Sequence, residues 1–100
     1  ADKFMILASG SASDTDGGII VQGSNTAGYA LGYDSGIDRW VFDADLAHNA
    51  TDIGPDAYVG VIETGTGDGD SQAVPIYGGT TNGVGTIYVD TDDSEIWIYA

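Results

Sequence analysis

The 100-residue sequence contains no cysteine, which excludes disulfide bonds, thiolate metal sites and cysteine nucleophiles. Only two residues are basic, Lys3 and Arg39, against 16 acidic ones, and the formal net charge is −14. Because this charge repels a phosphate backbone, we expect no nucleic-acid partner. No apolar run approaches the roughly 20 residues that a membrane helix needs, so we expect no membrane partner. A single histidine, His48, excludes a histidine-only metal triad.

Apolar residues are nevertheless plentiful, at 42% of the chain, which is too many for a disordered tail. Short segments rich in β-branched and aromatic residues recur about every ten residues and are separated by turn-forming residues, a rhythm typical of all-β folds. We predict one domain over residues 1–100, a small antiparallel β-sandwich or barrel of about eight short strands with long Gly/Asp/Thr-rich loops. The predicted strands are 4–8, 18–22, 29–33, 39–43, 57–63, 73–77, 86–90 and 95–99.

Three further segments have a distinctive composition. Residues 44–50 combine Ala, Leu and His without β-branched residues, so a helical turn or two is expected there. Residues 9–17 and 64–71 offer nothing that would anchor in a core, and we expect both to be exposed loops. Within residues 78–85, the Asn82–Gly83 pair favours a tight reversal.

Aspartates in glycine-rich loops have the oxygen ligands that calcium prefers. The candidates are Asp14, Asp16, Asp68, Asp70, Asp90, Asp92 and Asp93. None completes an EF-hand loop, because no glutamate follows at the required distance. We therefore expect these side chains to form solvated turns, with no metal site and no cofactor. Calcium ligation is the alternative.

The sequence contains few residues that could form a catalytic pair or triad. Glu63 and Glu95 are the only glutamates, and a glycosidase would need them across a sugar-binding cleft that so small a fold has little room to form. We expect both to be solvated charges at strand edges. The sequence has no Gly-x-Ser-x-Gly motif with which His48 could form a serine triad. We therefore place His48 on the surface or at an interface. The prediction is a non-enzyme without catalytic residues.

Two segments repeat one hairpin design. Residues 30–42 and 86–99 each contain a strand that ends in aspartate, a short polar turn and a strand that carries tryptophan. We expect Asp34 and Asp90 to accept backbone N–H groups of their turns, while Trp40 and Trp97 cover the apolar faces. Arg39 is predicted to form an ion pair across the first hairpin, with Asp34, Asp38 or Asp43.

The chain has nine Tyr, Trp and Phe residues beyond Phe4, many for a small core. We expect most of these rings to be buried within the chain. Because one small fold cannot hide them all, at least one aromatic face is predicted to be covered by another subunit.

Residues 14–22 and 30–42 resemble the repeated β modules of tail-fibre and other virion structural proteins of tailed bacteriophages. Residues 85–99 (GTIYVDTDDSEIWIY) resemble a hairpin that recurs along phage fibres. The resemblance implies a virion location, a homo-oligomer with a trimer favoured, and contacts with capsid or tail proteins. It implies no catalytic residues. The expected function is a capsid decoration (cement) subunit or a tail-fibre module. The alternatives are a carbohydrate-binding adhesive module that recognises a host glycan, and a calcium-stabilised extracellular β domain.

Overall fold

The computed structural model describes residues 3–100, which form seven strands and one four-residue helix in two compact units. One unit contains the residues up to Gly36 together with Trp40–Tyr58, and the other contains Ile37–Arg39 and Val59–Ala100. Nearly all regular structure is β, which confirms the predicted fold class. The described part of the chain has no helix of the length and apolarity that crossing a bilayer requires.

The first sheet has four strands in the order β1-β2-β3-β4. They are β1 (Gly17–Gln22), β2 (Ala27–Asp34), β3 (Arg39–Ala47) and β4 (Ala57–Tyr58). β1 pairs antiparallel with β2, so that Ile19 lies opposite Leu31 and Val21 opposite Tyr29. The two-residue β4 pairs antiparallel with β3.

The second sheet has three strands in the order β5-β6-β7. They are β5 (Ile62–Gly65), β6 (Ile87–Asp90) and β7 (Glu95–Ile98), and the helix α1 (Gly79–Asn82) lies between β5 and β6. β6 and β7 form an antiparallel hairpin, whereas β5 and β6 are parallel. The expectation of a purely antiparallel fold is therefore wrong at this pair, because residues 66–86 form a crossover that returns the chain in the same direction.

Four strand predictions are confirmed in position, at β1, β2, β6 and β7. β3 is longer than predicted, because residues 44–47, expected to be helical, continue the strand. Backbone hydrogen bonds explain the difference. Asp56 N donates to Phe42 O at 2.8 Å, and His48 N donates to Thr26 O at 2.8 Å. Sheet pairing therefore overrides a helical preference that is weak in so short a run.

The other strand predictions are wrong in part or entirely. Residues 57–63 split at Gly60 into β4 and β5, which belong to different sheets. Residues 73–77 are not a strand, because Pro75 has no N–H and the next two N–H groups donate to the Glu63 carboxylate. Residues 4–8 form no strand, and Asn82 ends α1 instead of forming a hairpin turn with Gly83.

Burial is inverted relative to an ordinary domain. Among residues 3–100, the buried apolar side chains are Ala30, Val41, Ile53, Pro75 and Tyr88. The buried polar ones are Asp34, Arg39, Asp43, Glu63, Thr86 and Asp90. The expectation that most of the nine aromatic rings beyond Phe4 lie in the core is wrong, since one of them, Tyr88, is buried and five are exposed: Tyr29, Trp40, Phe42, Tyr58 and Tyr77. The interior of each unit is therefore rich in polar groups, and much of the apolar surface faces outward.

Asp16 departs from the prediction of an exposed 9–17 loop. Its Oδ1 accepts hydrogen bonds from Ser35 N and Ser35 Oγ, both at 2.7 Å, and its Oδ2 accepts one from Ile53 N at 2.8 Å. The carboxylate thereby joins the start of β1 to the β2–β3 turn and to residue 53 of the following loop. Burial opposes ionisation, but these hydrogen bonds outweigh it and lower the pKa of Asp16 from its ordinary value of 3.8.

We expect Asp16→Asn to lower the free energy of unfolding by about 1–2 kcal/mol at pH 7, because hydrogen bonds to the charged carboxylate are lost. A carboxyl whose pKa is lowered by folding stabilises the fold above its unfolded pKa, and this contribution disappears as pH falls through the folded value. The difference between wild type and variant should therefore shrink below about pH 4. Urea unfolding at pH 7 and pH 3 measures this difference in the free energy of unfolding, with Asp14→Asn as the exposed neighbouring control. An equal difference at both pH values would contradict this role.

Candidate functional site

The two predicted hairpins share one turn structure. Asp34 Oδ1 accepts a hydrogen bond from Gly36 N at 2.9 Å in the first. In the second, Asp90 Oδ1 accepts hydrogen bonds from Asp92 N at 3.0 Å and Asp93 N at 3.2 Å. The residues before the returning strands, Asp38 and Ser94, both have a φ of 56°. The predicted turn role of the two aspartates is confirmed.

The two tryptophans, however, lie on different faces of their hairpins. Trp97 lies directly opposite Tyr88 across the β6–β7 pair, on the face that carries the buried Asp90. Trp40 contacts Tyr33 edge to face, with ring centroids 5.8 Å apart, and is 39% exposed. Counted from the two positive-φ residues, Trp97 is one position further along its strand than Trp40. Because side chains alternate along a strand, this single step moves the ring to the opposite face.

The loop of residues 66–70 is fastened over the inner face of the second sheet. Tyr88 Oη donates to Gly67 O, and Tyr99 Oη donates to Gly69 O, both at 2.7 Å. The Trp97 ring packs on Gly69 so closely that a Cβ at this glycine would lie 2.5 Å from Trp97 Cγ. Asp68 lies between the two tethered carbonyl groups. The 64–71 segment is therefore held in place by aromatic side chains, although it was expected to be a free exposed loop.

This arrangement brings four carboxylates together. One oxygen from each of Asp68, Asp90, Asp93 and Glu95 lies within 4.8 Å of the others, and we call this group the acidic cluster. Asp90 is fully buried, and the other three are exposed. Of the other predicted calcium candidates, Asp70 and Asp92 are outside this group, and Asp14 and Asp16 belong to the other unit.

Loss of hydration and mutual repulsion shift the pKa of two members of the acidic cluster, Asp68 and Glu95. Loss of hydration, followed by repulsion from Asp70, Asp90 and Asp93, raises the pKa of Asp68 from its ordinary value of 3.8. Loss of hydration and repulsion from Asp68, Asp93, Asp90 and Asp70 likewise raise the pKa of Glu95. The charged forms of these groups are therefore disfavoured in the absence of a positive partner.

The two glutamates occupy the two edge strands of the second sheet, as predicted, but only one is a solvated charge. Glu63 is 6% exposed, and its carboxylate accepts hydrogen bonds from Ile76 N at 2.7 Å and Tyr77 N at 3.2 Å. Glu95 lies opposite Asp90 in the β6–β7 pair. The place of Glu95 in the acidic cluster was not predicted from the sequence, although a hairpin register that closes on Asp90 would have placed Glu95 beside it.

Arg39 is 2% exposed, and its guanidinium group contacts backbone carbonyl groups. Its Nη1 donates to Asn82 O at 2.7 Å and Val84 O at 2.8 Å, and its Nη2 donates to Val59 O at 3.2 Å. Two of the predicted partners have other roles, since Asp34 accepts a hydrogen bond in its own turn and Asp43 accepts from Asp45 N and Gly54 N. Arg39 thus ties backbone segments of its own unit together.

The outward face of the second sheet is aliphatic. Its members are Ile62, Thr64, Ile87, Val89, Ile96 and Ile98, which the strand register places in two rows across the three strands. We call this set the aliphatic face. Ile62, Ile96 and Ile98 are about 70% exposed, and no charged residue belongs to the face.

The outward face of the first sheet is aromatic. Its members are Ile19, Val21, Tyr29, Leu31, Tyr33, Trp40 and Phe42, and we call this set the aromatic face. Tyr29 is 63% exposed and Phe42 is 48% exposed. No charged residue belongs to this face either. The two sheets therefore share one design, with polar groups on the inner face and apolar side chains outside.

His48 is exposed, as predicted, and lines a cavity of about 210 Å³ in the first unit. The cavity is smaller than the roughly 300–1,000 Å³ of typical small-molecule sites. Its other ionisable walls are Asp16 and Asp52. The Asp16 carboxylate is already occupied by three hydrogen bonds, so this cavity is not arranged for catalysis by His48.

Comparisons of the chain with protein-family models, with curated proteins and with solved structures gave no match.

Proposed function

We propose that the chain is a structural subunit of a bacteriophage virion, of the capsid decoration or tail-fibre type, which works by assembling with copies of itself and with other particle proteins. The observation that carries the assembly is the inverted burial of both sheets, above all the aliphatic face. Three isoleucines about 70% exposed form a contiguous patch of the kind that marks interfaces. The virion assignment is supported by the sequence resemblance of the hairpins.

Charge favours a second copy of the chain as the occupant of the aliphatic face. Two chains of net charge −14 repel each other wherever acidic side chains meet. The aliphatic face has no charged residue, so two such faces can approach without burying a carboxylate. β-branched side chains on a pleated surface also pack well against each other. A trimer is the assembly that the resemblance favours.

We expect multi-angle light scattering of the full chain, at micromolar concentration in 150 mM salt, to give a multiple of 10.3 kDa, three-fold for a trimer. Ile98→Glu should reduce the mass to that of the monomer, because the interface would then bury an unpaired charge. The matched control is Ile76→Glu, which changes an isoleucine of similar exposure, 62%, outside the sheets. A 10.3 kDa monomer at all concentrations, or an assembly indifferent to Ile98→Glu, would contradict self-assembly.

The virion location is tested separately. We expect mass spectrometry of purified particles of a phage that encodes the chain to find it in a fixed copy number per particle. Its absence from intact particles would overturn the virion assignment and leave the self-assembly result standing.

A carbohydrate-binding adhesive module is the second candidate, and the partly exposed Trp40 favours it. Trp40 lies beside Tyr33 on the aromatic face, and aromatic rings at a protein surface stack on sugars. Tryptophan fluorescence during titration with host surface glycans distinguishes the two functions. A saturable change that Trp40→Ala abolishes would favour the adhesive module.

A further inference from the structure

We propose that the acidic cluster of Asp68, Asp90, Asp93 and Glu95 is a calcium-binding site. The proposal departs from the sequence expectation of solvated, metal-free loops. It is also independent of the proposed assembly, because it concerns the inner face of the second sheet and the loop fastened over it.

The buried Asp90 carboxylate carries the proposal. Its Oδ1 is occupied by the N–H groups of Asp92 and Asp93. Its Oδ2 is buried and has no hydrogen-bond donor within reach among residues 3–100. A fully buried carboxylate oxygen without a partner is costly, and the usual remedies are a hydrogen-bond donor or a cation. Three more carboxylates lie close to Asp90, and their negative charge favours a cation as the missing partner.

The geometry suits calcium. Oxygen ligands at 2.3–2.6 Å from one ion lie at most about 5 Å apart, and the four carboxylate oxygens lie within 4.8 Å of one another. All four are hard oxygen donors, without the nitrogen or sulfur ligands that zinc prefers. Magnesium keeps most of its waters and takes only one or two carboxylates, so four converging carboxylates favour calcium. The three exposed members leave an open side for water ligands.

The site is assembled from segments far apart in sequence. β6 supplies Asp90, the β6–β7 turn supplies Asp93, and β7 supplies Glu95. The tyrosine hydroxyls that hold Gly67 O and Gly69 O keep Asp68 beside them.

The test is isothermal titration of the full chain with CaCl₂ and, separately, MgCl₂, at pH 7 and constant ionic strength. We expect one calcium per chain, with a Kd on the order of 10⁻⁴ M and weaker magnesium binding. A saturating calcium concentration should raise the melting midpoint by roughly ten degrees over chelator-treated protein.

Asp90→Asn is the sharpest variant, because the amide oxygen can still accept the turn hydrogen bonds while the charge is lost. It should weaken calcium binding at least tenfold, as should Asp68→Asn and Glu95→Gln, which change exposed side chains and so leave the fold in place. Asp92→Asn is the matched control, since it removes one charge from the same turn but outside the acidic cluster, and it should retain affinity within about twofold. No calcium binding by the wild type, or equal loss in Asp92→Asn and Asp90→Asn, would overturn the site. Unchanged wild-type stability in calcium would do the same and would favour a proton shared between Asp68 and Asp90.

Discussion

Replacing Arg39 with alanine is expected to lower the free energy of unfolding by about 3–5 kcal/mol. The guanidinium is buried and donates hydrogen bonds to Asn82 O, Val84 O and Val59 O. Without it, three carbonyl groups lose a charged donor, and each such hydrogen bond contributes about 1.5–3 kcal/mol. Domains of this size are stable by only about 5–15 kcal/mol, so the variant should be largely unfolded at moderate urea concentrations.

Lys3→Ala provides the control, because it removes the other basic residue and changes the net charge equally, but at an exposed position. Arg39→Lys separates charge from geometry. An ammonium group keeps the charge but cannot reproduce the planar fork that spans three carbonyls, so an intermediate loss of about 2 kcal/mol is expected. Urea unfolding followed by circular dichroism measures all three variants. A similar midpoint for Arg39→Ala and Lys3→Ala would show that the buried hydrogen bonds contribute nothing.

The sequence predicted the parts of the fold that depend on neighbours along the chain. Asp34 and Asp90 bond to their own turns, two or three residues away, and these turn roles followed from aspartate chemistry alone. Three of the four strands that flank the two turns were also placed correctly, and the fourth, β3, begins where it was predicted to begin. The helical prediction for residues 44–50 failed because pairing with distant strands decides the conformation of this segment. The strand prediction for residues 73–77 failed because the Glu63 carboxylate accepts hydrogen bonds from two N–H groups of this segment.

The acidic cluster could not be predicted for the same reason, because Asp68 is far in the sequence from the other three members. Asp68 is 22 positions from Asp90, and the tethering of its loop by Tyr88 and Tyr99 brings the two carboxylates together. The sequence showed acidic, glycine-rich loops, which are usually solvated turns, and it gave no sign of which aspartates would meet. The backbone hydrogen bonds of Arg39 were not predicted for a similar reason, since these acceptors are carbonyl groups 20 to 45 positions away, and side-chain patterns do not reveal such groups.

Replacing Trp97 with alanine is expected to lower the free energy of unfolding by about 2–4 kcal/mol, whereas Trp40→Ala should cost about 1 kcal/mol. The sequence predicted the same place for the two rings, on the apolar faces of their hairpins. Trp97 is half-buried, lies opposite Tyr88 and packs on Gly69, so its removal leaves a cavity beneath the 66–70 loop. Trp40 touches Tyr33 at the edge of its ring and is 39% exposed, so much of its surface loses no packing when it is removed.

The physical origin of the Trp97 effect differs from that of Arg39. The buried Trp97 Nε1 has no acceptor among the residues described, so its truncation leaves no unpaired carbonyl, and the loss comes from packing alone. Trp97→Phe should therefore recover more than half of the loss, because a smaller ring still covers Gly69. Chemical unfolding of wild type, Trp97→Ala, Trp40→Ala and Trp97→Phe under one condition measures these losses. Equal losses for Trp97→Ala and Trp40→Ala would mean that the one-residue step between the hairpins does not place the two rings in different environments.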